Sequence, residues 1–195
     1  MNKAMASSRR MLSTLNQEEV QKFQSIAADW WNPNGPAMGL HSMNMLRVPL
    51  VTDGLTKTGK TKPTDQPLEG LKIADIGCGG GILSEALARL GADVVGLDPA
   101  ENNIKIAKSH AELDETIVKK VNYLNLTAEE YLEKHFESPF DAVVASEVIE
   151  HVDNPQEFVQ ICSNLGILIS KDANRYQKVV GQNRAGKGIS GLFLP

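Results

Sequence analysis

The sequence predicts an α/β fold, in which helices cover a mostly parallel, Rossmann-like sheet. Residues 71–76 form an apolar run that ends in a glycine-dense turn, residues 77–81, and a helix-like segment, residues 82–90, follows directly. A second apolar run, residues 93–97, is closed by Asp98. Strand, glycine loop, helix, strand and acid, in that order, form the first half of a nucleotide-binding unit. The glycines let a ligand approach the backbone, and the acid can accept hydrogen bonds from a ribose diol.

The alternation of strands and helices continues after Asp98. Because parallel sheets bind ligands at the carboxyl ends of their strands, we expect Gly77, Asp98 and Ser146, which follow such strands, to converge on one crevice. Residues 166–170 can add a short fifth strand. The remaining predicted elements are a helix over residues 100–113, a strand over 117–123, a helix opened by a capping box at 127–130, a strand over 141–146, and a helix from Asn154 or Pro155 to about residue 164.

The segment before the sheet, residues 18–51, is predicted to be a helical cap. Its first helix, residues 18–31, carries an apolar stripe at helical spacing, and a proline-rich break follows. A short second helix is expected within residues 41–51. For Trp30 and Trp31, packing under this cap is favoured over contact with a ligand or with a membrane surface.

Residues 52–68 are predicted to be a polar linker between the cap and the core. Within it, residues 54–61 match the phosphate-loop pattern G-x-x-x-x-G-K-[ST] letter for letter. A true phosphate loop must lead into a helix whose N-terminus faces the phosphates. Because Pro63 and Pro67 would block that helix, we interpret the match as part of a surface linker.

The spacing within the glycine loop bears on which nucleotide it would bind. A dinucleotide fingerprint needs G-x-G-x-x-G; Gly77 and Gly79 fit, but the third position holds Ile82. The pattern that starts at Asp75 instead resembles the first motif of class I S-adenosylmethionine (SAM) methyltransferases. We therefore favour a SAM site in the predicted core, residues 69–165. A NAD-type site and a merely tight strand–helix turn are the alternatives.

Composition argues against several classes of function. A chain of 195 residues suits one domain, and a net charge of −4 provides no broad basic surface, so no nucleic-acid partner is expected. Cys78 and Cys162 lack the spacing of metal ligands, and Cys78 lies inside the glycine loop. No disulfide framework is therefore expected, which fits a reducing compartment. No apolar run approaches the length of a transmembrane helix.

Residues 1–17 differ in kind from the rest. They include Lys3, Arg9 and Arg10 and several serines and threonines, but no carboxylate. This composition is typical of a mitochondrial transit segment, and residues 9–13 can precede a cleavage point. A basic N-terminus without a targeting role is the alternative.

A second group of chemically capable residues follows the strand that ends near Ser146. If this segment is helical, Glu147, Glu150 and His151 lie on one face. Two carboxylates and an imidazole can hold a divalent cation with open positions for water or substrate. Two other interpretations need no metal: the acid can anchor a loop while the histidine contacts substrate, or His151 can act as a general base oriented by a glutamate.

Three blocks of the sequence resemble the ubiquinone-biosynthesis O-methyltransferases, which have the class I methyltransferase fold. The first block is residues 23–50, with Trp30-Trp31, Asn34-Gly35-Pro36, Leu40-His41 and Leu46-Arg47; the others are residues 75–99 and 140–152. The resemblance extends from about residue 20 to about residue 165. It implies that SAM is bound by Arg47, Gly77, Gly79, Asp98 and Ser146. It also implies Mg²⁺ ligands at Glu147, Glu150 and His151, with Glu147 and His151 as the catalytic residues.

The resemblance also implies a substrate and a location. The family methylates a catechol hydroxyl on a polyprenylated dihydroxybenzoate or on demethylubiquinol. A metal chelated by both catechol oxygens would lower the pKa of one hydroxyl, and the sulfonium methyl would then transfer in line. The implied location is the mitochondrial matrix side of the inner membrane. The resemblance also implies that the protein associates peripherally with that membrane and that its protein partners belong to a ubiquinone-biosynthesis complex.

The chain departs from the family pattern after Leu165. The family pattern has a Pro-Gly-Gly turn, a strand and a further long segment, whereas residues 171–195 match nothing in it. We therefore treat residues 166–195 as a divergent tail and expect the sheet to be incomplete at its C-terminal strands. Two alternatives to an active O-methyltransferase remain: a noncatalytic fragment that still binds SAM, and a NAD-linked oxidoreductase.

Overall fold

A single parallel sheet forms the centre of the computed structural model, which describes residues 14–135 and 140–170. Its strands lie in the order β3-β2-β1-β4-β5, and every neighbouring pair is parallel. This confirms the predicted α/β fold class and the short fifth strand. The strands are β1 (Lys72–Ile76), β2 (Asp93–Leu97), β3 (Val121–Leu124), β4 (Phe140–Ala145) and β5 (Gly166–Ile169).

Helices cover both faces of the sheet, as the crossover connections of a parallel sheet require. They are α1 (Gln17–Ser25), α2 (Met38–Lys57), α3 (Ile82–Arg89), α4 (Glu101–Ala111), α5 (Ala128–Lys134) and α6 (Pro155–Leu165), with short 3₁₀ helices at Ala27–Asp29 and Ile149–His151. The capping box predicted at the start of α5 is present: Thr127 accepts from the Glu130 backbone N–H, and Glu130 accepts from that of Thr127.

The alternation of side chains along β1 divides the core into two layers. Ile73 packs with α2 and α3 residues such as Leu55 and Leu87. Ala74 and Ile76 point to the other face and pack with residues of α6. Because β1 is covered on both faces, its last four residues are all buried, Asp75 among them.

Helix α2 is longer than predicted and corrects the linker assignment. It runs through Pro49 to Lys57, so the first six residues of the predicted linker are helical. The reason is tertiary: Val51 and Leu55, one turn apart, are buried in the core layer that contains Leu87 of α3. The phosphate-loop match therefore begins inside a helix. A phosphate loop must lead directly into a helix, and the chain forms none between Thr61 and the start of β1 at Lys72.

Two other elements are shorter than predicted. Helix α1 ends at Ser25, and the chain then turns so that Ala27 and Trp30 become buried. Strand β3 begins only at Val121, because the Asp114 side chain accepts backbone N–H groups that follow it and fixes a turn there. In the ranges that the structure covers, no helix is both long enough and apolar enough to span a bilayer.

Candidate functional site

The site lies where three strands end side by side. Ile76 of β1 is in register with Leu97 of β2 and with Ala145 of β4. The residues that follow these strands therefore meet at one edge of the sheet, beside a cavity of about 380 Å³. All five residues predicted to bind the cofactor line this cavity: Arg47, Gly77, Gly79, Asp98 and Ser146.

The glycine loop between β1 and α3 has a shape that only glycine adopts easily. Gly77, Gly79 and Gly81 all have positive φ, at 69°, 54° and 88°. A Cβ atom at Gly77 would also lie 2.6 Å from the Val148 Cγ2 atom. The glycines therefore allow this backbone conformation and leave room for side chains such as Val148 that pack on the loop, while Gly77 and Gly79 line the cavity.

The Asp98 carboxylate is held in a fixed orientation at the end of β2. Its Oδ2 atom accepts the Gly79 N–H at 2.9 Å, and its Oδ1 atom accepts the Ala100 N–H at 2.8 Å and the Asn103 side-chain amide at 3.2 Å. Burial raises the pKa of Asp98. Since a carboxylate offers about four lone-pair positions, capacity remains to accept a hydroxyl group.

Arg47 reaches the cavity from α2 and has an unused donor. Its Nη2 atom donates to the Leu40 carbonyl oxygen at 2.6 Å and to the Asn44 side chain. Its buried Nε–H has no hydrogen-bond partner among the described residues. A buried donor without a partner is costly, so a ligand carboxylate here would satisfy it with a charge-assisted bond.

Asp75, the last polar residue of β1, is a buried acid on the same cavity. Burial raises its pKa to about 6, although the Ser84 hydroxyl, which donates to its Oδ2 atom at 2.6 Å, and the nearby Arg47 charge act in the opposite direction. Asp98 raises it further. Sequence reasoning used Asp75 only as a motif position; its burial is evident only in the fold.

Replacing Asp75 with asparagine is expected to flatten the pH dependence of stability. Between about pH 4 and pH 6 the folded chain keeps a proton on Asp75 that the unfolded chain has lost, so stability falls as pH rises. A difference of about two pH units corresponds to roughly 3 kcal/mol of unfolding free energy. Urea denaturation from pH 4 to pH 7.5 measures this loss, which Asp75→Asn should remove.

Asp114→Asn is a control, because Asp114 should change the stability with pH in the direction opposite to Asp75. The Thr116 hydroxyl and backbone N–H lower the pKa of Asp114, so its contribution to stability is lost as pH falls. An unchanged pH profile in Asp75→Asn would show that the buried carboxyl does not hold this proton.

The segment from Ser146 to His151 is not the predicted helical face. Glu147 has φ 57°, a left-handed conformation that cannot continue an α-helix, and only Ile149–His151 form a 3₁₀ turn. Glu147 and His151 line the cavity, whereas Glu150 is exposed and lies outside its lining. Among the described residues, no three His, Cys, Asp or Glu side chains are grouped so that they could hold a metal ion. The predicted Mg²⁺ ligand set does not fit this arrangement.

His151 has a partner that sequence reasoning missed. Its Nδ1 atom lies 2.8 Å from Glu19 Oε2 of α1, and Phe23 packs edge-on against its ring at 5.1 Å between centroids. A proton held on Nδ1 by Glu19 leaves Nε2 as the proton-accepting atom. Glu147 and Glu150 had been the candidates for this orienting role, and no sequence pattern connects α1 to the loop after β4.

The chain just before α1 crosses the same edge of the sheet. Thr14 donates its backbone N–H and its hydroxyl to the buried Glu129 Oε1 atom, at 3.0 and 2.6 Å. Asp153 donates its N–H to the Thr14 carbonyl oxygen, and Leu15 forms an antiparallel bridge with Val152. Residues 1–13 of the predicted transit segment lie outside the described residues, and a cleavage after Ser13 would leave these contacts intact.

Comparison with known proteins identifies the family. A model described as a methyltransferase domain matches residues 74–166. A ubiquinone biosynthesis O-methyltransferase of Rhizobium etli is 40% identical over 171 residues, which are 85% of this chain and 67% of that protein. The chain belongs to the ubiquinone biosynthesis O-methyltransferase family. This membership confirms the predicted resemblance and leaves the NAD-type alternative, which Ile82 already disfavoured, without support.

Longer relatives of the ubiquinone biosynthesis O-methyltransferase family extend well beyond this chain. The mitochondrial enzyme of Rattus norvegicus is 50% identical over 149 residues, which are 76% of this chain but 43% of that protein. That of Arabidopsis thaliana is 45% identical over 200 residues, covering 99% of this chain and 61% of the relative. The chain thus spans less than half the length of its rat relative.

A solved structure agrees with the fold. Magnesium protoporphyrin IX methyltransferase from Synechocystis PCC 6803, with bound SAM, superposes with a TM-score of 0.64, covering 88% of each chain at 21% identity. At that identity the likeness establishes the fold alone. It is the SAM-dependent methyltransferase fold that the glycine loop and Asp98 predict.

Proposed function

We propose that this chain is a SAM-dependent O-methyltransferase of ubiquinone biosynthesis. It would transfer the SAM methyl group to a catechol hydroxyl of a polyprenylated dihydroxybenzoate or of demethylubiquinol. The observation that carries the proposal is the convergence of the glycine loop, Asp98 and Arg47 on one cavity in a chain of this family.

Each end of SAM has a matching group on the cavity. Asp98, fixed by Gly79 and Ala100, accepts from the ribose diol. Arg47 supplies its unused Nε–H and its positive charge to the carboxylate of the amino-acid end. Gly77 and Gly79 of the glycine loop line the cavity, so the ligand can approach the backbone there. Ser146 lines the same cavity and is assigned to SAM binding by the resemblance.

His151 is assigned the role of general base, which accepts the proton of the catechol hydroxyl. Its Nε2 atom takes this proton, and Glu19 on Nδ1 stabilises the imidazolium that results. The catechol oxygen attacks the sulfonium methyl group in line, so that an O–CH₃ bond forms as the S–CH₃ bond breaks. S-adenosylhomocysteine (SAH) leaves neutral at sulfur, and the substrate loses one proton and gains one methyl group. Orientation of the two reactants in the cavity supplies much of the acceleration.

Magnesium assistance stays a prediction from the resemblance. Glu147, Glu150 and His151 do not form a ligand set in the described arrangement, so the steps above use groups of the chain alone. Turnover measured with excess chelator and then with added Mg²⁺ decides whether the ion contributes.

The cellular setting is proposed from the relatives. The rat and Arabidopsis proteins are named mitochondrial, and residues 1–17 have the composition of a transit segment. We place the chain in the mitochondrial matrix, in peripheral contact with the inner membrane where a polyprenylated substrate would lie. A complex of ubiquinone-biosynthesis proteins is the proposed protein partner.

Two experiments on the full chain test this function, the first for SAM binding and the second for methyl transfer. Calorimetric titration with SAM should show saturable binding, and incubation with a short-chain prenylated catechol should yield the methyl ether and SAH. His151→Gln should lower kcat by about 100-fold, as expected for loss of a general base. His135→Gln is the matched control, because His135 is exposed and does not line the cavity. Binding without turnover would favour the noncatalytic fragment; no binding by a folded chain would refute the proposal.

A further inference from the structure

Trp30 lies directly on the glycine loop. It follows the first 3₁₀ helix and is 6% exposed. A Cβ atom at Gly79 would lie 2.5 Å from Trp30 Cη2, and one at Gly80 would lie 2.5 Å from Trp30 Cβ. The residue lines the cavity as well, and His41 Nε2 donates to its carbonyl oxygen at 2.8 Å, which fixes its backbone. The predicted packing role under the cap is therefore present, and it places an indole beside the cofactor cavity.

The indole N–H begins a chain of hydrogen bonds that ends on Asp98. Trp30 Nε1 donates to Asn103 Oδ1 at 2.9 Å, and Asn103 Nδ2 donates to Asp98 Oδ1 at 3.2 Å. Asn103 is 1% exposed, so water does not replace either partner. The two bonds link the cap, helix α4 and the end of β2.

Only one orientation of the Asn103 amide satisfies this geometry. The indole nitrogen is a donor and never an acceptor, so it must face the amide oxygen. The amide NH₂ group then faces the carboxylate, where it can donate. In the reversed orientation an oxygen would face the negatively charged Asp98, and a donor would face a donor. Trp30 thus decides which end of Asn103 meets Asp98.

We propose that Trp30 is a positioning residue for ribose recognition, acting through Asn103 on Asp98. The inference rests on the proposed function, because it assumes that SAM occupies this cavity. By holding the amide, Trp30 keeps Asp98 Oδ1 engaged by Asn103 and fixes the rotation of the carboxylate. The remaining lone pair then points to one place, where a ribose hydroxyl binds. Loss of the indole N–H should therefore weaken binding through the diol specifically.

Trp31 is a matched control for Trp30, because both side chains contact the glycine loop. Its Nε1 atom donates to the Gly80 carbonyl oxygen at 2.8 Å, and its ring stacks on His110 at 3.4 Å between centroids. It therefore touches the glycine loop as Trp30 does, but no described hydrogen bond of its side chain leads to Asp98. A change at Trp31 therefore affects the loop without removing a bond from the chain of hydrogen bonds that runs through Asn103 to Asp98.

The experiment measures how strongly the full chain prefers SAH to an SAH analogue that lacks both ribose hydroxyls. Both dissociation constants are determined by calorimetry for the parent chain, Trp30→Phe and Trp31→Phe. Phenylalanine keeps a ring against Gly80 but removes the N–H, together with the outer ring atoms that face Gly79. Trp30→Phe should weaken SAH by about tenfold and leave the analogue nearly unchanged, so the preference falls by about the same factor. Trp31→Phe should change both ligands equally and keep the preference.

A second variant, Asn103→Ala, keeps the proposal testable if Trp30→Phe fails to fold. Asn103→Ala leaves the Trp30 ring in place and should reduce the preference as Trp30→Phe does. Equal weakening of both ligands in Trp30→Phe and Asn103→Ala would overturn the proposal and leave Trp30 a packing residue. If the folded parent chain binds SAH but shows no preference over the analogue, ribose recognition by Asp98 fails, and this proposal with it. If it binds neither ligand, the proposed function itself fails.

Discussion

Replacing Asp98 with alanine is expected to raise the dissociation constant for SAM by at least about 100-fold. The change removes the acceptor for the ribose and leaves the Gly79 N–H, the Ala100 N–H and the Asn103 amide without their buried acceptor. Each lost bond to a charged group is worth about 1.5–3 kcal/mol, and each factor of ten in affinity about 1.4 kcal/mol. Calorimetric titration of SAM into the full chain measures the change.

Asp93→Ala is the matched control for this variant. Asp93 begins the same strand but is exposed at its other end, where it pairs with Lys120 at 3.1 Å. An exposed pair of this kind contributes little, so SAM affinity should stay within about twofold of the parent chain. Should Asp98→Ala bind SAM as well as Asp93→Ala does, the cofactor does not lie against the end of β2.

Replacing Gly79 with alanine is expected to destabilise the fold by about 3 kcal/mol and to abolish measurable SAM binding. Two costs combine: an alanine at φ 54° costs about 1–2 kcal/mol, and its Cβ would lie 2.5 Å from the Trp30 ring, which must shift at a cost of about 1–3 kcal/mol. Urea denaturation gives the change in unfolding free energy, and titration gives the change in affinity.

Gly59→Ala separates the two costs. Gly59 has φ 72°, the same left-handed conformation, but a Cβ there would meet nothing within 4 Å. Only the backbone cost of about 1–2 kcal/mol applies, and SAM binding should be unaffected because Gly59 lies away from the cavity. If Gly79→Ala and Gly59→Ala destabilise the fold equally, the Trp30 ring moves aside at no cost in free energy and does not restrict the glycine loop.

The elements predicted correctly are those whose cause is local. The glycine-dense turn follows an apolar strand and requires positive φ, so its position is evident from the letters alone. The capping box at Thr127 and the start of α6 after Asn154 are also short-range signals, and both are present. Asp98 falls at the site because the register of parallel strands aligns their ends.

The predictions that failed depend on contacts between distant parts of the chain. Helix α2 continues to Lys57 because Val51 and Leu55 are buried in a core layer shared with α3, and this burial outweighs the polar and proline-rich character of the sequence around them. Glu147 adopts φ 57°, so the spacing of the acids and His151 does not translate into one helical face.

Local sequence patterns were thus enough to predict the sheet, the glycine loop, the acid at the end of β2 and the family. Each of these follows from patterns within short blocks of sequence, where neighbours in sequence are neighbours in space. The partners of the site residues are visible only in the folded chain: Glu19 lies beside His151, Asn103 lies between Trp30 and Asp98, and Thr14 donates to Glu129. These pairs join the cap to the sheet across long stretches of chain, and packing alone brings them within hydrogen-bond distance.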